Sequence, residues 1–380
     1  MQNIEIVFYS VVLNHHQIPV ADALWEMTGH HYTFVELSDL KDSKGVTSDY
    51  SARPYLLRCR ESKTAYDKAM KLARTADVCI FSGIESLEFE KERMKAGLLS
   101  FDMGERWLKH GFKNLLSPRL IRWLWAYYTG NWKNKPLYKL CCSAFCAGDQ
   151  YRLGTFKGKC YKWGYFTNVD SNIHCIETQN ESVSIMWCAR FLKLKHPELP
   201  VMLAAELKLY GYKFILNMYG SGEEELSTRQ LAENLHMGDC VIFHGNVSNS
   251  EVLEAMRASD IFLFTSDRHE GWGAVANESM SQGCALVASD AIGSTPYLVK
   301  DRETGCIFQS GDLQSLFSCV KWLLDNPEKM HTIQNNALRH MQDIWSPANA
   351  AKSLLRLINN LQNGKDTDIA EGPCSKAFPI

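Results

Sequence analysis

HEGWGAVANESMSQGCALVASD, residues His269 to Asp290, is the stretch that decides the fold. It follows an apolar run, Ile261-Phe262-Leu263-Phe264, which is expected to be a buried parallel strand. Gly271 and Gly273 then break the chain. A helical pattern runs from Ala274 to about Gln282, and Gly283 ends it. Cys284 to Ser289 is expected as the next buried strand. Glu270 therefore falls on the loop at the carboxyl end of a strand, and Glu278 lies about two turns into the helix. The carboxyl ends of strands are where open α/β sheets bind ligands. The free amides of Gly271, Trp272, Gly273 and Ala274, at the helix N-terminus, offer a place for negative charge.

Two carboxylates at this spacing can reach opposite ends of one long ligand, with a phosphate on the amides between them. A sugar nucleotide fits: sugar at Glu270, diphosphate on the helix end, ribose hydroxyls at Glu278. The bland alternative is a helix cap plus a solvated helix glutamate. The pair is informative because it is joined to E-G-x-G and framed by two buried strands. At these residues the chain resembles the retaining glycosyltransferases of family 4, whose E-x7-E signature matches Glu270 and Glu278. The resemblance covers the C-terminal half well and the N-terminal half mostly in layout. It implies the GT-B fold: α/β, two Rossmann-like domains with parallel sheets facing a central cleft, and a C-terminal helix crossing back to the N-terminal domain.

The chain has 380 residues, which suggests two domains. With 46% hydrophobic and 11% aromatic residues it can bury large cores. The net charge of −2 gives no global field for nucleic acid. The charge is unevenly spread: residues 1–175 hold 24 Lys+Arg against 18 Asp+Glu, and the remainder is acidic. The 13 cysteines form no CxxC pair or metal-like cluster and sit mostly in apolar runs, so they read as reduced, buried and cytosolic. Glu5 and the polar stretch near His15 interrupt any leader pattern, and no apolar run approaches the length of a membrane span.

Strands are expected at 4–13, 32–37, 77–82, 96–101 and 137–144, with helices from Pro19 to about Met27 and over 64–75. This alternation predicts a doubly wound parallel sheet. No G-x-G-x-x-G follows the first strand, which counts against a dinucleotide dehydrogenase. The first loop is Asn14-His15-His16-Gln17, where the family often has glycines. By resemblance this loop faces the acceptor, which makes His15 and His16 candidates for acceptor or phosphate. The alternative is a polar pair capping the helix at Pro19. Where relatives carry a histidine near the donor sugar, this chain has Asp102 and Glu105. Either is a candidate for an acceptor hydroxyl; the alternative is a local ion pair with Arg106.

Residues 107–139 contain no Asp or Glu. They do contain Lys109, Lys113, Arg119, Arg122, Lys133, Lys135 and Lys139, interleaved with Trp107, Trp123, Trp125, Trp132 and three tyrosines. Basic residues beside interfacial aromatics describe a helix lying on an anionic membrane, with Arg119, Arg122, Trp123 and Trp125 as its contacts. A nucleic-acid reading lacks any supporting motif. An insertion packed on the protein itself is the alternative.

The second domain is expected to start at residue 168, after Lys162-Trp163-Gly164-Tyr165-Phe166-Thr167, and to end at 345. Strand Ser182–Cys188 leads to Arg190 and Lys195, which match the family's G-R-x4-K, with Ala189 in place of its glycine. Two cations at a strand end can neutralise a diphosphate and its leaving charge. In the resemblance, Gly220 brings backbone close to the nucleotide, and His244, Gly245 and Asn246 sit by the base. Ser346-Pro347 opens the crossing helix, over 346–362, and 363–380 reads as a disordered tail. Asp366-Thr367-Asp368 in that tail is assigned no metal role.

The expected activity is thus a retaining, metal-independent hexosyltransferase without cofactor. Glu270, Arg190 and Lys195 would be its catalytic groups. Its donor would be a UDP-sugar and its acceptor a polyprenyl-linked glycan or a saccharide in capsule or exopolysaccharide assembly. Its place would be the cytoplasm, peripheral on the inner face of the cell membrane. A hydrolysing sugar-nucleotide epimerase of the same fold, and an inactive membrane-associated assembly partner, are the alternatives.

Overall fold

The computed structural model describes residues 4–38, 52–83, 86–170, 172–174 and 182–380. These divide into two compact units, one made of residues 1–167 with 346–380, the other of 168–345.

The first unit is built on a seven-stranded sheet in the order β3-β2-β1-β4-β5-β6-β7. Its strands are β1 (Ile6–Ser10), β2 (Tyr32–Glu36), β3 (Leu56–Arg58), β4 (Val78–Ser82), β5 (Ser100–Gly104), β6 (Leu137–Cys141) and β7 (Cys160–Lys162). All pairings are parallel. Central strands buried on both faces need continuous apolar runs, and β1 supplies one: every residue of Ile-Val-Phe-Tyr-Ser is buried. In register, Phe8 lies between Phe34 and Ile80, and the Phe8 and Phe34 rings stack with centroids 5.1 Å apart.

The second unit carries a six-stranded parallel sheet in the order β10-β9-β8-β11-β12-β13. The strands are β8 (Val183–Cys188), β9 (Phe214–Tyr219), β10 (Val241–Gly245), β11 (Ile261–Phe264), β12 (Ala285–Ser289) and β13 (Cys306–Phe308). Leu199, Leu203 and Leu207 of helix Glu198–Leu209 and Leu316 and Leu323 of helix Leu313–Asp325 are buried with this sheet in one contiguous core. In both sheets the strand order reverses beside the first strand of the unit, and the carboxyl ends at such a switch point are where open α/β sheets bind ligands.

Several expectations are corrected. The strand expected at 96–101 is Ser100–Gly104, because 88–96 forms a helix. Asp102 is therefore inside a strand rather than after one. The strand expected at 137–144 stops at Cys141, and a further strand, β7, follows it in the sheet. Residues 363–380 are not a disordered tail. Cys374 is fully buried, Lys376 bridges Tyr161 of β7 in antiparallel fashion, and Asp366 accepts from Tyr161 Oη at 2.8 Å. The acidic pair singled out there is thus structural: Asp366 also binds Lys376, and Asp368 binds Arg356. Helix Pro347–Gln362 packs on helix Ile18–Met27 within the first unit.

Candidate functional site

In the second unit the loops after β8 and β11 leave adjacent parallel strands at the switch point. The loop after β8 carries Arg190 and Lys195; the loop after β11 carries Glu270. Hydrogen bonds to backbone carbonyls tie the two loops together. Asp267 N–H donates to Leu194 C=O at 2.9 Å, and Thr265 Oγ1 donates to Lys195 C=O at 2.6 Å. Trp187 Nε1, buried in β8, donates to the same Thr265 hydroxyl at 2.9 Å. Lys195 Nζ and the Glu270 carboxylate form an ion pair, each side chain about one-seventh exposed, and Ser266 Oγ donates to Glu270 Oε2 at 3.2 Å. Arg190 stands exposed beside them in sequence.

The glycines of this site serve close approach. Gly273 has φ 76°, and a Cβ there would meet the Phe264 ring at 2.1 Å, so the loop lies directly on β11. Gly220, at φ 117°, has no room either: a Cβ would sit 2.0 Å from the Ala189 carbonyl oxygen. Gly220 N–H donates to Gly245 C=O at 2.8 Å, which brings the loops after β9 and β10 together. Asn246 Nδ2 donates to Ser221 Oγ at 2.6 Å, and the His244 ring stacks on Tyr219 with centroids 4.3 Å apart. Sequence reasoning missed Tyr219; its signal was an aromatic as the last residue of a strand that ends in glycine.

The helix after the loop is Val275–Ser281, shorter than expected, so Glu278 is in its first turn rather than two turns in. Burial pushes the Glu278 carboxyl up to about 7. Trp272 does not present itself to a ligand. It is fully buried, donates from Nε1 to Asn277 Oδ1 at 2.8 Å, and packs against Trp345 and Tyr297. A bulky aromatic between two glycines anchors this loop to the core.

In the first unit, His15 and His16 are adjacent rings with centroids 3.7 Å apart, and His16 stacks on Tyr165 at 6.0 Å. They do not cap the helix at Pro19: Asn14 closes that turn, accepting from Gln17 and Ile18 N–H with its carbonyl and from His16 N–H with its side chain. Burial, then the neighbouring His15, lowers His16 to about 4. Asp102 does not pair with Arg106. It pairs with Lys139, its register neighbour on β6, while Arg106 donates to Asp149. Glu105 accepts from Tyr165 Oη at 2.9 Å and lies 3.5 Å from Lys109.

Residues 107–139 are two short 3-10 turns, Gly111–Leu116 and Trp132–Asn134, around helix Pro118–Thr129. Trp123 was expected on the exposed face and is 7% exposed; it packs among Trp107, Tyr127, Trp132 and Phe156. The helical period explains the correction: Leu120, Trp123 and Tyr127 share one stripe, so the core claims all three. The outward side carries Ile121, Trp125 and Tyr128, joined by Phe112 and Leu116, all exposed, with Arg119 and Arg122 also exposed. Among the described residues no helix is long and apolar enough to cross a membrane, and no cluster of three or more metal-ligating side chains occurs. All the described cysteines but the half-buried Cys188 are buried.

Residues 176–340 match the family model of glycosyl transferases group 1. Over 113 residues the chain is 31% identical to N-acetyl-alpha-D-glucosaminyl L-malate synthase of Bacillus anthracis, covering 30% of this chain and 29% of that protein. Over 123 residues it is 28% identical to D-inositol 3-phosphate glycosyltransferase of Streptomyces coelicolor, covering 32% and 26%. The matches thus span under a third of the length of these curated relatives. The crystal structure of Anabaena HepE (Alr3699) in complex with UDP superposes with TM-score 0.69 at 14% identity, covering 95% of this chain and all of that one. The apo lipopolysaccharide outer core galactosyltransferase WaaB does so with TM-score 0.69 at 15% identity, covering 93% and 99%. At these identities the likeness is one of fold. The fold is that of GT-B glycosyltransferases: α/β, with two Rossmann-like units of parallel strands.

Proposed function

We propose that this chain is a glycosyltransferase that moves a hexosyl unit from a nucleotide sugar to a lipid-linked glycan, with retention and without a metal. The observation that carries this reading is the meeting of Lys195 and Glu270 at the switch point, on loops from neighbouring parallel strands. An amine and a carboxylate held there in contact are displaced together by one ligand that offers a diphosphate to the first and hydroxyls to the second. The diphosphate would lie on Lys195, Arg190 and the amides of Gly271 to Ala274. The ribose hydroxyls would go to Glu278 and the base to the loop of His244, Gly245 and Asn246. The HepE structure contains UDP, and this supports UDP as the nucleotide.

No side chain in this constellation is poised as a nucleophile, so the chemistry is assigned to the front face. The glycosidic bond to the diphosphate oxygen breaks, the acceptor hydroxyl attacks from the same side, and its proton passes to the departing diphosphate. Negative charge on that oxygen peaks in the transition state, where Lys195 and Arg190 stabilise it most. These two cations take the place of a divalent metal. A hydrolysing epimerase is not favoured, given the family match over 176–340.

The exposed apolar side chains of 112–128, set among Lys113, Arg119 and Arg122, support docking on an anionic membrane surface. Trp125 replaces Trp123 as the aromatic contact. The test is incubation of the protein with UDP-hexoses, with and without polyprenyl-diphosphate sugars, in excess chelator. Transfer that persists in chelator is expected, and no UDP release from any donor would refute the reading.

A further inference from the structure

A cavity of about 440 Å³ opens in the first unit at the carboxyl ends of β4 and β5, within the size range of small-molecule sites. Its inner wall carries three ionisable side chains that water barely reaches. Lys139 is 0% and Glu90 4% exposed, and the Asp102 side chain is 13% exposed. Lys139 and Asp102 answer each other as an ion pair, and Lys139 Nζ also lies 4.7 Å from the centre of the Trp107 ring. Glu90 makes no ion pair among the described residues; the Trp123 indole N–H stands beside its carboxyl, and both side chains line the cavity. A carboxyl with two oxygens and a single indole donor beside it keeps capacity for a further hydrogen bond to a ligand in the cavity. Burial pushes the Glu90 carboxyl well above its usual range; Asp102 adds to this, and Lys139, Arg119 and a hydrogen bond from Trp123 oppose it. A neutral carboxyl both donates and accepts, as a sugar hydroxyl does.

At the mouth stand Arg119 and Arg122 on helix Pro118–Thr129. Neither makes an ion pair among the described residues. Two guanidinium groups one turn apart suit a phosphoryl group, with two N–H donors each. Inside, a neutral acid, a carboxylate and indole surface suit a pyranose, whose hydroxyls ring an apolar C–H face.

We propose that this cavity binds the acceptor, and that the acceptor is a phosphorylated sugar. The ring lies against Trp107 with its hydroxyls on Glu90 and Asp102, and the phosphoryl group lies between Arg119 and Arg122. This rests on the glycosyltransferase reading above and narrows it. The helix that holds the phosphoryl group also carries exposed Ile121 and Trp125. The sugar in the cavity is therefore the one joined directly to a lipid phosphate, and not the far end of a long glycan. The enzyme extends a short lipid-linked saccharide at its first residue.

The test is calorimetric titration of the full chain with the 1-phosphates of glucose, galactose and N-acetylglucosamine, the parent sugars, inorganic phosphate and, separately, UDP. At least one sugar phosphate should bind tenfold or more tightly than its parent sugar and than inorganic phosphate. Glu90→Gln and the double change Arg119→Ala/Arg122→Ala should each weaken it at least fivefold while leaving UDP affinity within twofold, which also reports that the variants are folded. Vesicles carrying a polyprenyl-diphosphate sugar should bind more protein than vesicles carrying the sugar-free polyprenyl phosphate, and equal binding would overturn the placement on lipid. The proposal fails if no sugar phosphate binds, if inorganic phosphate binds as well, or if the variants change nothing. Sugar-phosphate binding without UDP binding would instead break the glycosyltransferase reading and leave the cavity assignment standing.

Discussion

Each sheet carries a lysine–carboxylate pair, at the switch point of the second sheet and on β5 and β6 of the first, and treats it differently. At the second sheet, Lys195 and Glu270 pair on loops, each about one-seventh exposed, with Arg190 exposed on the same loop as Lys195. At the first sheet, Lys139 and Asp102 pair inside adjacent strands, with Glu90 sealed in against them and a cavity in front. A loop pair can open for a ligand at little structural cost, since water and solvent ions replace each partner. A buried pair cannot, because separating it strands an ion in low dielectric. The first kind is suited to groups that change partners during a reaction. The second is suited to a fixed wall that a substrate fits.

That difference orders the expected effects. The largest should come from breaking the buried pair from one side: Lys139→Ala is expected to cost about 3–5 kcal/mol of stability, because it leaves Asp102 uncompensated. Chemical denaturation measures this, and replacing Lys139 and Asp102 together should cost less than Lys139→Ala alone. If the double change is the worse one, the contrast between a fixed and an opening pair is wrong.

Lys195→Ala should hardly touch stability but should lower kcat by roughly 100- to 1,000-fold, the usual cost of removing one donor to developing charge. Arg190→Ala should act in the same direction. Steady-state kinetics with a UDP-hexose gives the numbers, and unchanged turnover in both variants removes these cations from the mechanism.

The apolar face of helix Pro118–Thr129 gives the next effect. Changing Leu116, Ile121 and Trp125 to Ser together should reduce sedimentation with anionic vesicles at least tenfold, since each buries on the order of 1.5–3 kcal/mol of apolar contact if it inserts. Trp123→Phe should leave vesicle binding unchanged, because that indole is in the core. Binding that survives the triple change, or that ignores salt, would show the surface to have another use.

The smallest effects belong to the two glutamates of the central motif. Glu278→Ala should weaken UDP by roughly tenfold, about the worth of charge-assisted hydrogen bonds to hydroxyls. Glu270→Gln should leave UDP affinity near normal or slightly improved, since it releases Lys195 from its partner. Equal losses in both would show the roles wrongly divided. Burial raises Glu278 to about 7, so below that pH it is protonated in the free protein and must lose its proton to accept two hydroxyls. UDP affinity should therefore rise with pH up to about 7 and level off above it, and Glu278→Gln should remove this component. The same raised value favours the folded state at acid pH, an advantage lost as pH rises through about 7.

The central stretch of the second sheet's candidate site was legible because it is contiguous. Glycines, a strand, a short helix and both glutamates fall within His269 to Asp290, and helical and strand periods place them without knowledge of distant residues. The first sheet was legible only in outline. Glu90, Asp102 and Lys139 come from a helix and two strands spread over 50 residues, and only the sheet register brings them together. Trp123 was misplaced because a run of aromatics and arginines looks alike on both faces until the stripe Leu120, Trp123, Tyr127 is seen to be the core's. A signal for the cavity did exist: Glu90 and Arg93 fall on the same helical side as Phe89 and Met94, where charge is unexpected. The fold of 363–380 could not have been read, since it depends on partners such as Tyr161, more than 200 positions away.

That last feature bears on how the molecule is made. The first unit takes its chain from both ends, and residues 346–380 must come back to cover helix Ile18–Met27 and the outer strand β7. The second unit, residues 168–345, is continuous. During synthesis the second can close as it leaves the ribosome, while the first stands unfinished for the time taken to add those residues. At about 5–20 residues per second that interval is on the order of 10–40 s, with the edge of β7 open to any passing strand. Nascent chains stalled near residue 345 should accordingly show a protease-resistant second unit and a first unit that is still digested. Resistance of both would mean the returning segment is dispensable to the fold.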